Sequence, residues 1–316
     1  MGVLKTTVVV CSAKRPDVLS ETIESLMRGQ SLQPREIIVS VFNLAHVPAK
    51  IRADSAIRVV VSSRQALSAQ RNAAVKAVRT PYTLFLDDDV EIAPNFIESM
   101  ESLLDEVEDV VVATGFVVVD GVRGDAGVDR TSARAAVLNY VREREDCDCE
   151  EGYGCNLFVR TRMFDQVLFD ENLPLYGWLE DLDFSTNCLR YGRIMRNAGT
   201  CVAHLGSPIG RVSGLEFGYS QIVNPFYLWC KNGKPRLPSV VFAHWLVPVV
   251  RNLRRTLMRV HGIRSDRTGR FKGNMIGFCR LLAGKVDPSY ILQLQEAAEW
   301  PHQVVSGNSA AAGRMT

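Results

Sequence analysis

Short continuous apolar runs alternate along the first 120 residues with segments whose apolar positions recur every three or four residues. Residues 6–12 (TTVVVCS) are β-branched and unbroken, the pattern of a strand covered on both faces. Asp17 then offers a helix cap, and Leu19, Ile23, Leu26 and Met27 share a helical face as far as Gly29. Residues 36–42 and 57–61 read as two more strands, and Ala66 to Val78 as an alanine-rich helix with Arg71-Asn72 at its middle. Pro81 ends that helix, and Tyr82–Leu86 is a fourth strand running into Asp87-Asp88-Asp89. A helix after Pro94 and a strand over Val110–Thr114 complete five alternations.

Such alternation predicts an α/β fold with a Rossmann-like, mainly parallel sheet flanked by helices. Ligands bind at the carboxyl ends of the strands in sheets of this kind, and the aspartate triplet stands at one such end. Past Val119 the pattern weakens. Residues 120–156 read as an insertion with a short helix near Ala133–Val141, Asn156–Val159 as a strand, and Phe184–Tyr191 as a helix. Gly206, Gly210, Gly214 and Gly218 recur every four residues, but polar neighbours such as Ser213 and Glu216 predict a mobile loop over 205–219.

Composition changes this picture in one respect. The chain has 316 residues, is 47% hydrophobic and 23% charged, and carries a net charge of only +2, so it can bury a core and is neither disordered nor a disulfide scaffold. The charge is unevenly spread: residues 231–285 hold thirteen Lys and Arg against the single acid Asp266. Of eight cysteines, Cys11, Cys188, Cys230 and Cys279 lie in or beside apolar runs and read as small hydrophobes. Cys147, Cys149 and Cys155 lack the second pair that zinc spacing requires, and a reduced, cytoplasmic compartment is expected. No secretory leader and no window long enough to span a bilayer is visible.

Two acidic clusters carry the candidate chemistry. Three adjacent carboxylates repel one another unless a cation or hydrogen-bond donors compensate. At the end of a buried strand, the Asp87-Asp88-Asp89 cluster suits a divalent cation, Mn²⁺ or Mg²⁺, shared with phosphate oxygens; alone it could equally be a solvated loop. The second cluster, Trp178-Leu179-Glu180-Asp181-Leu182-Asp183-Phe184, sets an aromatic platform beside paired acids, one of which could take a proton from a hydroxyl. It is also what an ordinary helix start looks like, with acids at the positive end of the dipole.

Taken in order, TTVVVCSAKRP, Arg71-Asn72 before a strand, the triplet ending that strand, and WLEDLDF some ninety residues later resemble glycosyltransferase family 2. The resemblance covers about residues 5–205 and implies a GT-A fold: a nucleotide-binding part over about 1–119, an acceptor part over about 120–230, and a basic helical extension over 231–316. It implies that Ser12 to Arg15 line the nucleobase pocket, that Arg71 sits near the donor, and that Asp87 and Asp88 lie at the nucleoside end. Asp89 would hold the metal, completed by His204; Asp181 would be the general base, with Glu180 and Trp178 near the acceptor. Arg211 falls where a lid contact would close over the diphosphate. Asn43 stands where the family often carries an Asp, so it either replaces that acid by hydrogen bonding or base recognition differs. The implied reaction is inverting transfer from a nucleotide-sugar, UDP-sugar favoured, to a hydroxyl of a glycan or lipid-linked saccharide in surface polysaccharide synthesis. An inactive family-2-like binding subunit of a polysaccharide assembly complex is the alternative.

Two other classes are set aside on residues. A sugar nucleotidyltransferase needs a glycine-rich loop after the first strand, where SAKRPD has none, and a haloacid-dehalogenase-like phosphatase has its aspartates after the first strand, not the fourth. In the tail, Val249, Val250, Leu253, Leu257 and Val260 share one helical face and Arg251, Arg254, Arg255 and Arg259 another. Basic amphipathic helices of this kind lie in membrane interfaces, which predicts peripheral contact with the cytoplasmic face through 240–260; a helix packed on the body with solvated arginines is the other reading. No base-stacking motif accompanies the charge, so nucleic acid is not an expected partner.

Overall fold

The computed structural model describes residues 4–122, 127–209, 212–231, 246–257 and 266–295. Two compact units emerge from its internal contacts: Met1–Glu171 with Leu179–Arg211, and Asn172–Trp178 with Val212–Thr316.

The first unit is built on one nine-stranded sheet. Its strands are β1 (Thr6–Ser12), β2 (Glu36–Val41), β3 (Ile57–Val61), β4 (Tyr82–Asp87), β5 (Val90–Ile92), β6 (Val110–Asp120), β7 (Cys147–Asp148), β8 (Asn156–Arg160) and β9 (Arg193–His204). Their order is β3-β2-β1-β4-β8-β6-β9-β5, with β7 also on β9. The β3-β2-β1-β4 block is parallel throughout; β8 then runs antiparallel between β4 and β6, and β9 is parallel to β6. Cys11 pairs with Asp87, and Asp120 with His204, so four strand ends meet at one edge of the sheet.

Helices α1 (Pro16–Gly29), α2 (Ala49–Ala53), α3 (Leu67–Val75), α4 (Phe96–Glu106), α5 (Arg130–Leu138) and α6 (Glu180–Cys188) flank the sheet. Alternation in β1 divides the core between the two faces. Val8 and Val10 pack with Leu19 and Ile23 of α1 and Phe96 and Met100 of α4, whereas Val9 and Cys11 pack with Ala74 of α3 and Phe184 of α6. Helix α1 begins at Pro16, whose missing N–H costs nothing at a first-turn position; Asp17 lies inside that turn and does not cap it.

In the second unit, α7 (Gly214–Lys231), α8 (Val247–Leu257) and α9 (Arg267–Leu282) follow one another. The loop expected over 205–219 is overturned from Gly214 onward, where a helix stands; Gly210 lies outside the described residues. The polar residues that argued for a loop are the helix cap. Ser213 N–H donates to Glu216 Oε2 at 2.6 Å and Glu216 N–H to Ser213 Oγ at 3.2 Å, a reciprocal capping box. The glycine spacing serves close helix approach: a Cβ on Gly218 would sit 2.0 Å from the Arg270 carbonyl, and one on Gly273 2.0 Å from that of Leu215. Between the helices Asn252 Nδ2 donates to Gln221 Oε1 (3.0 Å) and Asn274 Oδ1 (2.9 Å), all three residues being buried. Cys230 and Cys279, read from sequence as small hydrophobes, are exposed on their helices.

Candidate active site

The site is assembled in the first unit from the carboxyl ends of β1, β4, β6 and β9 and from the start of α6. Asp87 closes β4, and Asp88 and Asp89 form the turn that follows it. Asp88 turns into the protein and is fully buried; Ser12 Oγ donates to its Oδ2 at 2.5 Å and Arg15 Nη2 lies 2.9 Å from its Oδ1. Burial pushes its carboxyl up to about 7, against the pull of Arg15. Ser12 and Arg15 thus meet an aspartate that faces inward. The turn holding them passes through Lys14 at φ 60, a left-handed conformation that costs a non-glycine residue of order 1 kcal/mol.

Asp87 and Asp89 both face His204, and Asp89 also shares Arg15 with Asp88, its Oδ2 lying 3.4 Å from Arg15 Nη1. Asp89 Oδ1 lies 3.3 Å from His204 Nε2, and Asp87 Oδ2 3.7 Å from the same nitrogen. Each carboxylate divides its oxygens between the cluster and the scaffold. The second oxygen of Asp89 accepts from the Ser207 backbone N–H at 2.6 Å, and that of Asp87 faces Arg71 Nη2 at 3.6 Å. Gly206, at φ +67, turns the chain after β9 so that the Ser207 N–H reaches back. One ligand atom from each of Asp87, Asp89 and His204 lies within 4.8 Å of the other two. Burial raises the Asp87 carboxyl, while Asp89, although burial opposes it, is held low by His204 and Arg15. Burial alone would lower the imidazole, but the carboxylates of Asp120, Asp89 and Asp87 outweigh it and hold His204 at about 10. A pocket that converges two carboxylate oxygens and an imidazole nitrogen fits a divalent cation of the Mn²⁺ kind, which accepts both donor types.

Arg71 joins this cluster to the second acid pair. Its guanidinium is buried, donates to Glu180 Oε1, and donates through Nη2 to the Gly154 carbonyl at 2.9 Å. The Gly154 N–H in turn donates to Asp181 Oδ2 at 2.9 Å. A Cβ on Gly154 would lie 2.9 Å from that oxygen, so a larger residue there would push the Asp181 carboxylate aside. Glu180 is buried, and desolvation lifts its carboxyl to about 8 despite Arg71; Asp181 is half-buried at the first turn of α6. The residue before the pair, Leu179, adopts φ 72, a second strained position beside the site. Helix α6 starts at Glu180, four residues earlier than the apolar pattern indicated, because the acids themselves form its first turn.

Other expected residues lie elsewhere. Asn43 is exposed at the end of β2, where its Oδ1 accepts from Ala45 N–H at 2.9 Å and caps a short 3-10 turn. Trp178 belongs to the second unit, edge-on to Phe217 with ring centroids 5.1 Å apart, its carbonyl accepting from Asn224. Arg211 lies outside the described residues. Asn72, beside Arg71, ties its amide to the backbone of Phe169. Asp120, Tyr153 and Gly154 were not anticipated. The signal for Asp120 was present, since ATGFVVVD ends an apolar run in an acid as YTLFLD does.

A curled α/β sheet with acids gathered at its strand ends is the architecture of GT-A glycosyltransferases. The sequence model of the family described as Glycosyl transferase family 2 matches residues 7–168, just over half of the chain. The chain belongs to that family. Among solved structures, GalNAc-T7 with UDP, GalNAc and Mn²⁺ superposes at a TM-score of 0.51 and 15% identity, over 76% of this chain and 54% of that one. Residues 1–349 of S. aureus TarS give a TM-score of 0.51 at 15% identity, over 88% and 80%. The chain thus spans about half the length of the GalNAc-T7 chain, and at such identities the likeness is one of fold. No curated protein sequence matches.

Proposed function

We propose that the protein transfers a sugar, with inversion, from a nucleotide-diphosphate donor to a hydroxyl of a glycan or lipid-linked saccharide, in surface polysaccharide synthesis. The observation that carries this reading is the convergence of Asp87, Asp89 and His204 at the end of β4, tied through Arg71 to Glu180 and Asp181. Asp89 and His204, with Asp87, would hold the cation; Mn²⁺ suits the imidazole better than Mg²⁺ does. When bound, a divalent ion supplies Lewis-acid stabilisation of the charge that builds on the departing diphosphate. Asp181 accepts the proton of the acceptor hydroxyl, held at one oxygen by the Gly154 N–H. Attack from the side opposite the leaving group inverts the anomeric centre. Glu180, with a raised carboxyl, sits at the acceptor side, and Ser12 and Arg15 border the nucleoside end. UDP is the favoured nucleotide, since it accompanies the GalNAc-T7 structure of like fold.

The membrane part of the reading rests on α8. Leu246, Val247, Val250 and Leu253 are exposed, as are Arg251 and Arg254, while Asn252 points to the helix neighbours. No helix among the described residues is long and apolar enough to cross a membrane. An apolar edge beside arginines suits peripheral attachment to an anionic surface, where a lipid-linked acceptor resides.

Calorimetric titration of UDP, GDP and dTDP, with and without Mn²⁺, tests the donor site beside Asp89→Asn. Metal-dependent binding of one nucleotide, lost in the variant, is the expected result. Folded protein that binds none of the three would refute the assignment.

A further inference from the structure

His204 presents its two ring nitrogens to different carboxylates. Nε2 faces Asp89 and Asp87; Nδ1 faces Asp120 Oδ1 at 3.6 Å. At that distance the contact is an ion-pair approach and not a formed hydrogen bond. Nδ1 is buried with no hydrogen-bond partner among the described residues. Asp120 itself is anchored at both oxygens: Val122 N–H donates to Oδ1 at 3.2 Å and Tyr153 Oη to Oδ2 at 3.2 Å. The Tyr153 ring also stands edge-on to the imidazole, with centroids 6.1 Å apart. The β6–β9 register sets Asp120 directly opposite His204, so backbone pairing fixes their spacing.

We propose that Asp120, braced by the Tyr153 hydroxyl, is a positioning residue for the cation site: it takes the Nδ1–H of His204 and thereby turns the Nε2 lone pair toward Asp87 and Asp89. An imidazole can offer a lone pair at only one nitrogen while the other carries the proton, and the partner of the protonated nitrogen selects which. With carboxylates on both sides, the ring has a built acceptor for the proton it must keep. Removing such outer partners typically costs about 10–100-fold in metal affinity. This inference rests on the reading of Asp87, Asp89 and His204 as the cation site.

The test uses Mn²⁺ alone as probe on the full chain, so neither donor nor acceptor need be identified. Wild type, Asp120→Asn, His204→Gln and the double variant are titrated side by side under one buffer condition. Pulsed electron paramagnetic resonance then reads the ¹⁴N coupling of a directly bound imidazole. Asp120→Asn should weaken that nitrogen signal and lower Mn²⁺ affinity about tenfold or more, and should cost nothing further in the His204→Gln background. A full wild-type nitrogen signal in Asp120→Asn, or the same affinity loss in both backgrounds, overturns the positioning role while leaving the cation site intact. If His204→Gln keeps wild-type affinity and signal, the cation-site reading itself falls, and the role of Asp120 with it. Should Asp120→Asn not fold, Tyr153→Phe takes its place, with a loss of a few-fold expected and none in the His204→Gln background.

Discussion

His204 illustrates how little a residue's type says before its neighbours are known. An exposed histidine would titrate near 6.5, yet here carboxylates on both sides hold the imidazole at about 10. The sign for cation binding follows. Below that value the apo ring carries two protons, and binding must expel the one on Nε2. Mn²⁺ affinity should therefore rise with pH, by about tenfold per unit where a single proton is released, and level off only as pH approaches the raised value. Titrations at pH 6.5, 7.5 and 8.5 would show the trend; a flat series would mean that His204 does not ligate. Arg71 makes the same point with a fixed charge. Met in sequence as a donor contact, it is buried among Glu180, Asp87 and the Gly154 carbonyl, its guanidinium 5.1 Å from the Phe169 ring.

At the scale of elements, strands were legible and helix ends less so. A buried parallel strand announces itself as a short continuous apolar run, and β1, β2, β3 and β4 fell where such runs lie. Helix α7 was misread because a capping box, Ser213 with Glu216, looks polar and loop-like in sequence. The same helix explains Gly214 and Gly218, which allow close approach to Asp266 and Arg270. Gly273→Ala should destabilise the second unit by about 1–3 kcal/mol, the usual cost of forcing a methyl into a closed contact. Chemical denaturation followed by fluorescence of the C-terminal tryptophans would measure it; an unchanged midpoint would mean that the helices separate without penalty.

Across the molecule, charge is segregated: an acidic stretch over residues 1–230 carries the site, and 231–285 carries a surplus of twelve positive charges. Each basic side chain near an anionic bilayer contributes about 1 kcal/mol, and salt screens it. The full chain should therefore sediment with vesicles containing phosphatidylglycerol but not with purely zwitterionic ones, and should be released as NaCl rises from 50 to 500 mM. Val250→Asp with Leu253→Asp should weaken retention at low salt by removing the apolar edge. Equal binding to both vesicle types, or none to either, would count against membrane attachment.

By itself the sequence determined the α/β class, the strand-to-acid junction at Asp87-Asp88-Asp89 and the Glu180-Asp181 pair, because periodicity and strand-end chemistry are local and survive in one dimension. It could not say which aspartate faces inward, since Asp88, in the turn that follows β4, is distinguished from its neighbours only by its contacts with Ser12 and Arg15. Nor could it pair Asp120, Tyr153 or Gly154 with partners that lie 27 to 84 positions away in the chain, although the acid ending ATGFVVVD was visible. Those meetings depend on β8 entering antiparallel between β4 and β6 and on the register of β6 with β9. Register is a property of paired strands, so the tertiary structure alone decided which oxygen and which nitrogen meet.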